Sequence, residues 1–332
     1  MRPLVLIVVS FAAAWIIVGL VGAIDWAQVG DALGRLSVAA LVVLAVAFLA
    51  RQTLNAVPLA RFVPGLGLKR SMQNDVTANL MGTVAPPPAD VVIRVSMFKS
   101  WQINPVDGMA GVTLNMLTFY SVRFLAPAVG LLVLSFQGVE RGQVLAAMSS
   151  ALIAVAVLVS LALIIRSDAF AAWLGRTAGR VVARVCSTVD PQVWEIATVD
   201  FRGGMAETLR TGLLPSMAAL LGMVLCDALV LTLSLRFVGV DATVLTAPDI
   251  VGAFLVSYPL TLMPLVGLGV LDAVLLATWT EIAGLEWEPE IVAGLIVWRA
   301  FTLLGPLILG AGTLLLWRRQ TATSAEGSEA SA

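Results

Sequence analysis

MGTVAPPPADVVIR, residues 81–94, interrupts an otherwise apolar chain with three consecutive prolines that begin at Pro86. Because proline fixes φ and lacks a backbone N–H, a helix that reaches this stretch ends near Val84, and a new helix can begin at Ala89. Backbone that is not helical survives at membrane depth only where protein or a water-filled cavity surrounds it. The stretch is therefore predicted to line a cavity.

A second stretch of the same design, YPLTLMPLVGLGVLD, lies at residues 258–272. It combines an apolar run, a break rich in proline and glycine, and then an acidic residue, Asp272. Two interrupted apolar segments at corresponding places in the two halves of a chain point to a transporter built from inverted repeats. The sequence thus predicts two broken helical segments that enter the membrane from opposite sides.

The composition is that of a membrane protein. The chain has 332 residues, of which 59% are hydrophobic and 12% are charged, whereas soluble proteins carry roughly a quarter charged residues. We therefore predict an all-α polytopic membrane protein. The absence of histidine excludes histidine zinc sites, Ser-His-Asp triads and histidine proton relays. The net charge of -1 argues against a nucleic-acid partner, and no motif predicts a catalytic residue, a metal site or a cofactor.

Hydropathy predicts a single membrane domain over residues 1–317, with about six full crossings and two re-entrant pairs. The crossings are expected at 3–24, 37–63, 107–136, 142–165, 211–235 and 291–317, and the re-entrant pairs at 71–99 and 250–284. Arginine and lysine concentrate between 61 and 70 and between 166 and 210, so these segments and both termini are predicted to be cytoplasmic.

Two segments outside the crossings have their own predictions. Arg176, Arg180 and Arg184 recur every four residues in the loop 166–210, a spacing that fits either an amphipathic helix on the membrane surface or an ordinary positive-inside loop. The tail at residues 318–332 is rich in small and acidic residues, and we predict that it is disordered.

Seven charged residues fall inside apolar segments, where each costs about 2.5–3.5 kcal/mol at mid-membrane. They are expected to face one another or a water-filled cavity. Four arginines against three aspartates leave one guanidinium over, and a guanidinium is the group that grips phosphate bidentately. The alternative is that all seven form ion pairs that only support packing. The seven residues are Arg51, Asp90, Arg94, Arg123, Asp227, Asp272 and Arg299.

Local spacing adds detail to this set. Asp90 and Arg94 are four residues apart and can form a pair on one helix face. Arg51 and Asn55 likewise share a face, and Arg51 is near enough to its helix end to snorkel. Asp272 follows two glycines, where free N–H groups of a half-helix can meet an anionic headgroup. Secondary candidate residues are Arg51, Asn55, Asn115, Gly267 and Gly269.

These motifs resemble the family of lysylphosphatidylglycerol synthase transmembrane regions, the flippase-like domain of MprF-type and YbhN-type membrane proteins. Residues 85–94 are similar to its first signature, Pro-x-x-Gly-Gly-Glu-x-x-Arg, with aspartate for glutamate and without the glycines. Residues 266–272 are similar to the second, Pro-Gly-Gly-Leu-Gly-x-x-Glu, again with aspartate as the acid. Arg123, in YSVRFLA, and residues 298–310, with Arg299 before a threonine and Pro-x-x-x-Gly, match two further helices.

The resemblance implies a lipid translocase in the inner membrane of a bacterium. Its substrate would be an anionic or aminoacylated phospholipid or a polyprenyl-linked lipid, and its partners a second copy of the chain or a separate lipid-synthesising enzyme. Phosphate would be bound by Arg94, Arg123 and Arg299, while Asp90, Asp227 and Asp272 would hold those arginines or meet a cationic headgroup. Two other hypotheses are a membrane-embedded lipid-modifying transferase and a non-transporting partner subunit.

Overall fold

The computed structural model describes residues 25–134 and 148–150, isolated positions between 152 and 177, and residues 191–329, with the backbone alone for 191–209, 264–265 and 322–329. Within these ranges the chain is helical and contains no strand, which confirms the all-α prediction. We number the longer helices α1 to α10. They are α1 Trp26–Gly34, α2 Val38–Phe62, α3 Gly67–Val84, α4 Ala89–Ser100, α5 Pro105–Leu134, α6 Pro191–Phe237, α7 Ala247–Ser257, α8 Val270–Ala283, α9 Glu288–Arg299 and α10 Gly305–Glu329.

Within the described residues, four stretches of helix are long and apolar enough to span a membrane, as expected for a membrane protein. They are Val38–Phe62, Pro105–Leu134, Arg210–Phe237 and Leu285–Thr321, and they coincide with the crossings predicted at 37–63, 107–136, 211–235 and 291–317. The crossing predicted at 3–24 lies outside the described residues, and the one predicted at 142–165 lies largely outside them.

The chain divides into two compact units. Unit 1 takes its described residues from Met1–Arg51, Arg123–Ala151 and Met223–Gly305, and unit 2 takes its own from Gln52–Val122, Leu152–Gly222 and Pro306–Ala332. Each unit contains two helices that pack together and are separated by a short break.

Hairpin 1, formed by α3 and α4, belongs to unit 2. Helix α3 ends at Val84 and α4 begins at Ala89, as the three prolines predict. Asp90 at the start of α4 lies beside Gly82 near the end of α3, and Arg94, one turn further on, bonds to Asn74, two turns further back. The two helices are therefore antiparallel. Helix α4 also packs outside the hairpin, through a core in which Phe98 contacts Leu59, Val63, Leu66 and Val112 of α2, the segment that follows α2, and α5.

Hairpin 2, formed by α7 and α8, belongs to unit 1. Between the two helices the chain forms a 3₁₀ turn at Tyr258–Leu262 and a single helical turn at Pro264–Gly267. Gly267 and Gly269 have left-handed φ angles of 73° and 85°, which glycine adopts without strain. A Cβ at Gly267 would lie 2.6 Å from the carbonyl oxygen of Leu260. The close return of the chain therefore requires glycine at this position.

Two polar segments outside the crossings contain helix. Helix α6 begins at Pro191, so the last part of the predicted loop 166–210 is helical; the stretch from Arg176 to Arg184 lies largely outside the described residues. In the tail 318–332, α10 continues to Glu329, and the disorder of the tail stays a prediction. A helix that has already formed extends without a new nucleation cost, and the alanine and glutamate of the tail favour helix.

Candidate functional site

Arg94 of hairpin 1 is held by a network that crosses from α4 to α3. Its Nη1 donates to Asn74 Oδ1 over 2.7 Å and its Nη2 donates to Asp75 Oδ1 over 3.1 Å. The other carboxylate oxygen of Asp75 accepts from Asn55 Nδ2 over 2.6 Å. Both terminal nitrogens of the guanidinium and both oxygens of the carboxylate are therefore occupied. The network neutralises the two charges and ties α2, α3 and α4 together.

The predicted pair of Asp90 with Arg94 is wrong. Arg94 reaches across the hairpin, and Asp90, on the same helix, makes no hydrogen bond to any residue that the structure describes. An i, i+4 pair on a helix surface contributes only about 0.2–0.5 kcal/mol. A partly buried, hydrogen-bonded pair is less exposed to solvent, so the two charges attract each other more strongly. Asp75 is absent from the predicted set because it lies in α3, well before the proline break. The polar run Gln73-Asn74-Asp75 was the signal.

Asp227 is a buried carboxylate of α6 with two partners in unit 1. Its Oδ2 lies 3.5 Å from both Nε and Nη2 of Arg51, and its Oδ1 accepts from the indole N–H of Trp298 over 3.0 Å. The ion pair is longer than a good charge-assisted hydrogen bond. Two residues of the predicted set, Arg51 and Asp227, are thus brought together, and Trp298 is a partner that the sequence did not reveal.

Arg299 and Asp272 form the second ion pair of unit 1, at the break of hairpin 2. Arg299 Nε donates to Asp272 Oδ1 over 2.7 Å, and Nη1 donates to the carbonyl oxygen of Val266 over 3.1 Å. The backbone N–H of Gly269 donates to the other oxygen of Asp272 over 2.8 Å. The guanidinium also lies over the Trp298 ring, 4.3 Å from its centroid. Asp272 therefore links the start of α8 to α9.

One donor of this cluster remains open. Arg299 is 7% exposed, and its Nη2 is buried without a hydrogen-bond partner among the described residues. A buried donor without a partner costs roughly 1–3 kcal/mol, and more when it is charged. Such an atom in a folded protein calls for an explanation, and a bound ligand is one.

The remaining predicted residues lie in different places. The guanidinium of Arg123 in α5 is 5.9 Å from the centroid of the Tyr258 ring, where hairpin 2 begins its break. Asn115 lies in the part of α5 that belongs to unit 2. Its Oδ1 is buried without a hydrogen-bond partner among the described residues, and no described bond joins it to the network around Arg94.

The charge balance of the prediction changes with Asp75. Four arginines now meet four aspartates, so the single excess positive charge expected for the whole set disappears. The two units nevertheless differ. Of these eight residues, unit 1 has Arg51, Arg123 and Arg299 with Asp227 and Asp272, whereas unit 2 has Arg94 with Asp75 and Asp90. Within this set, unit 1 therefore has one positive charge in excess and unit 2 one negative charge in excess.

Comparison with known proteins assigns no family to this arrangement. Within the described residues, no group of three or more cysteine, aspartate or glutamate side chains could hold a metal ion. No model of a known protein family, no curated protein and no solved structure matches the chain. The resemblance to the lysylphosphatidylglycerol synthase transmembrane regions thus stays a prediction that rests on the motifs around Arg94, Asp272 and Arg299.

Proposed function

We propose that the chain is a lipid translocase of the flippase-like kind. A phospholipid or polyprenyl-linked headgroup would pass through a polar cavity while its hydrocarbon tails stay in the bilayer. The observation that carries the proposal is the same in both units: beside the break of a helical hairpin lies an Arg–Asp pair, Arg94 with Asp75 and Arg299 with Asp272. Charges in apolar segments are costly, and they mark substrate or ion pathways in membrane proteins.

The proposal includes a topology. The two hairpins would be re-entrant and open to opposite sides of the membrane, as inverted repeats require. The order of the helices supports this, because it is the same from α2 to α5 and from α6 to α9. In each case one helix leads into the hairpin, the two helices of the hairpin follow with a break between them, and a further helix leads out. About six full crossings and cytoplasmic termini would complete a multi-pass protein of a bacterial inner membrane.

The chemistry of the site favours a charged lipid headgroup as the substrate. Guanidinium groups bind phosphate, and carboxylates bind an ammonium group, so a headgroup that carries a phosphate would meet partners in unit 1. The sequence contains no nucleotide-binding motif, and we therefore propose passive or ion-coupled movement. A second copy of the chain or a separate lipid-synthesising enzyme would be its protein partner.

The test is leaflet-resolved scrambling of headgroup-labelled phospholipids in proteoliposomes that contain the full chain. Wild-type protein should equilibrate the label faster than empty vesicles, and Arg123→Ala and Asp272→Asn should abolish the acceleration while the protein stays folded. Arg35→Gln is the matched control, because Arg35 pairs with Glu290 over 3.5 Å with half its side chain exposed and lies far from hairpin 2 in the sequence. It should scramble like the wild type.

Two results would contradict the proposal. If well-folded wild-type protein accelerates no lipid class, a transferase or a partner subunit becomes the better interpretation. If Arg35→Gln loses activity as fully as Asp272→Asn, the loss reflects general instability of unit 1 and not the site.

A further inference from the structure

We infer that the break of hairpin 2 contains a subsite for one phosphodiester group, formed by Arg299 and the first turn of α8. The inference deepens the proposed function, and it rests on that function for assigning the phosphate to a lipid. It distinguishes Arg299 from Arg94, although both arginines belong to the predicted set. Four observations within unit 1 support it.

The first observation is the fixed orientation of the guanidinium. Nε is held by Asp272 and Nη1 by the carbonyl oxygen of Val266, while the ring of Trp298 covers one face. The side chain is therefore preorganised, and Nη2 is its one terminal nitrogen without a partner among the described residues. Nε–H and one N–H of Nη2 point from the same edge of a guanidinium. Nη2 thus faces the same turn of α8 that Nε contacts through Asp272.

The second observation is that Nη2 faces the N-terminus of helix α8. Helix α8 has 14 residues and begins at Val270, and the first N–H groups of any helix lack partners within the helix. The N-terminus also carries about half a positive charge from the helix dipole. Together, a free guanidinium N–H and free backbone N–H groups form the donor set that binds phosphate at helix N-termini.

The third observation is access to this turn. Arg299 itself is buried, but Val266 and Leu268, which lie in the break next to it, are 42% and 45% exposed. Val266 has a left-handed φ of 59°, an outlier for a β-branched residue. Residues beside the open donor are therefore exposed, and the backbone at Val266 is held in a strained conformation, which is common where proteins clamp a ligand.

The fourth observation is the charge. Asp272 would repel an anion, but its two oxygens already accept from Arg299 and from the N–H of Gly269. Of the eight charged residues of the candidate site, which are the predicted seven and Asp75, unit 1 contains three arginines and two aspartates, and a phosphodiester monoanion would balance this set. Arg94 differs, because Asn74 and Asp75 already occupy both of its terminal nitrogens.

The experiment measures binding by ³¹P NMR titration on the full chain, purified in a phosphate-free maltoside detergent. The probes are dimethyl phosphate, inorganic phosphate and dihexanoyl phosphatidylglycerol, and dihexanoylglycerol, followed by its proton signals, is the neutral control. Arg299→Gln combined with Asp272→Asn removes the donor without leaving a lone buried charge, so this variant should fold. Arg35→Gln, which removes a paired guanidinium from the same unit, is the matched control.

Wild type and Arg35→Gln should bind the diester probes, and the Arg299→Gln/Asp272→Asn variant should bind them at least about tenfold more weakly, because a hydrogen bond to a charged group is lost. Tighter binding of phosphatidylglycerol than of dimethyl phosphate would identify a lipid as the source of the phosphate. Equal binding of all phosphates would identify a soluble anion.

Unchanged binding in the folded double variant, or equal binding of dihexanoylglycerol, would overturn the subsite. Because binding is measured without transport, the two proposals fail separately. A chain that binds phosphatidylglycerol through Arg299 but scrambles no lipid would contradict the translocase and leave the subsite intact. A chain that scrambles lipid equally well after loss of Arg299 would do the reverse.

Discussion

Hairpin 1 and hairpin 2 break their helices by opposite means. In hairpin 1, prolines remove backbone donors, and no residue between 81 and 94 has a left-handed φ. In hairpin 2, Val266, Gly267 and Gly269 all have left-handed φ angles, and the chain returns so closely that a side chain at Gly267 would meet the backbone. A proline break depends on the local sequence alone, whereas a glycine break depends on the packing around it.

The ion pairs beside the two breaks also differ, in whether all of their donors and acceptors have partners. Arg94 and Asp75 belong to a network in which each terminal donor and acceptor has a partner. Arg299 and Asp272 leave one buried donor open. A closed network rigidifies a fold, while an open donor on a rigid guanidinium is suited to binding. The proposed phosphate subsite therefore lies in hairpin 2 alone, and stability measurements on single variants can test whether the two ion pairs differ in this way.

Arg299→Gln should give the largest loss of stability. The substitution leaves Asp272 as a partly buried carboxylate without its charged partner, and breaking a buried pair in this way costs up to about 3–5 kcal/mol. The loss would be measured by unfolding in mixed SDS and maltoside micelles. Adding Asp272→Asn should recover part of it, because the unpaired charge is removed. A loss below about 1 kcal/mol for the single variant would mean that the pair is solvated, contrary to its burial.

Asn55→Ala should destabilise unit 2 by about 1.5–3 kcal/mol, since Asn55 donates to a charged oxygen of Asp75. Arg94→Gln acts on the same carboxylate, so the two variants should not be additive. A double-mutant cycle in the same micelles should give a coupling of at least about 0.5 kcal/mol. Strict additivity would show that the network of hairpin 1 is not closed and would remove the contrast with hairpin 2.

Glycine substitutions should separate the two kinds of break. Gly267→Ala forces a side chain into a left-handed conformation, which costs about 1–2 kcal/mol before the contact with Leu260 is counted. Gly82→Ala should be neutral or stabilising by up to about 1 kcal/mol, because alanine favours helix and the new Cβ would lie 3.4 Å from the Cβ of Asp90. Equal losses in the unfolding titration would contradict the difference between the breaks.

Local features of the fold could be predicted from the sequence, and contacts across the hairpins could not. The ends of α3 and α4 follow from the prolines, which act on neighbouring residues alone. The partner of Arg94 depends on how α3 folds back on α4, and a spacing of four residues suggested Asp90 where the structure has Asp75. The pairs of Asp227 with Arg51 and of Asp272 with Arg299 could be expected only as members of a set, because membrane burial requires pairing without naming the partner.

Asp90 and Asp272 are the acids at the starts of α4 and α8, and their substitution should change the free energy of unfolding by different amounts. Asp90→Asn should give the smallest change of all the variants. Asp90 is in the first turn of α4, where the helix dipole contributes about 0.3–1 kcal/mol, and it has no hydrogen bond within the described residues. Asp90→Asn should therefore change the free energy of unfolding by less than about 1 kcal/mol. Asp272→Asn, which removes the charged acceptor of Arg299 and weakens the bond from Gly269, should cost several times more. Equal losses would give both acids one role, and hairpin 1 would then contain a second ion-pair site that includes Asp90.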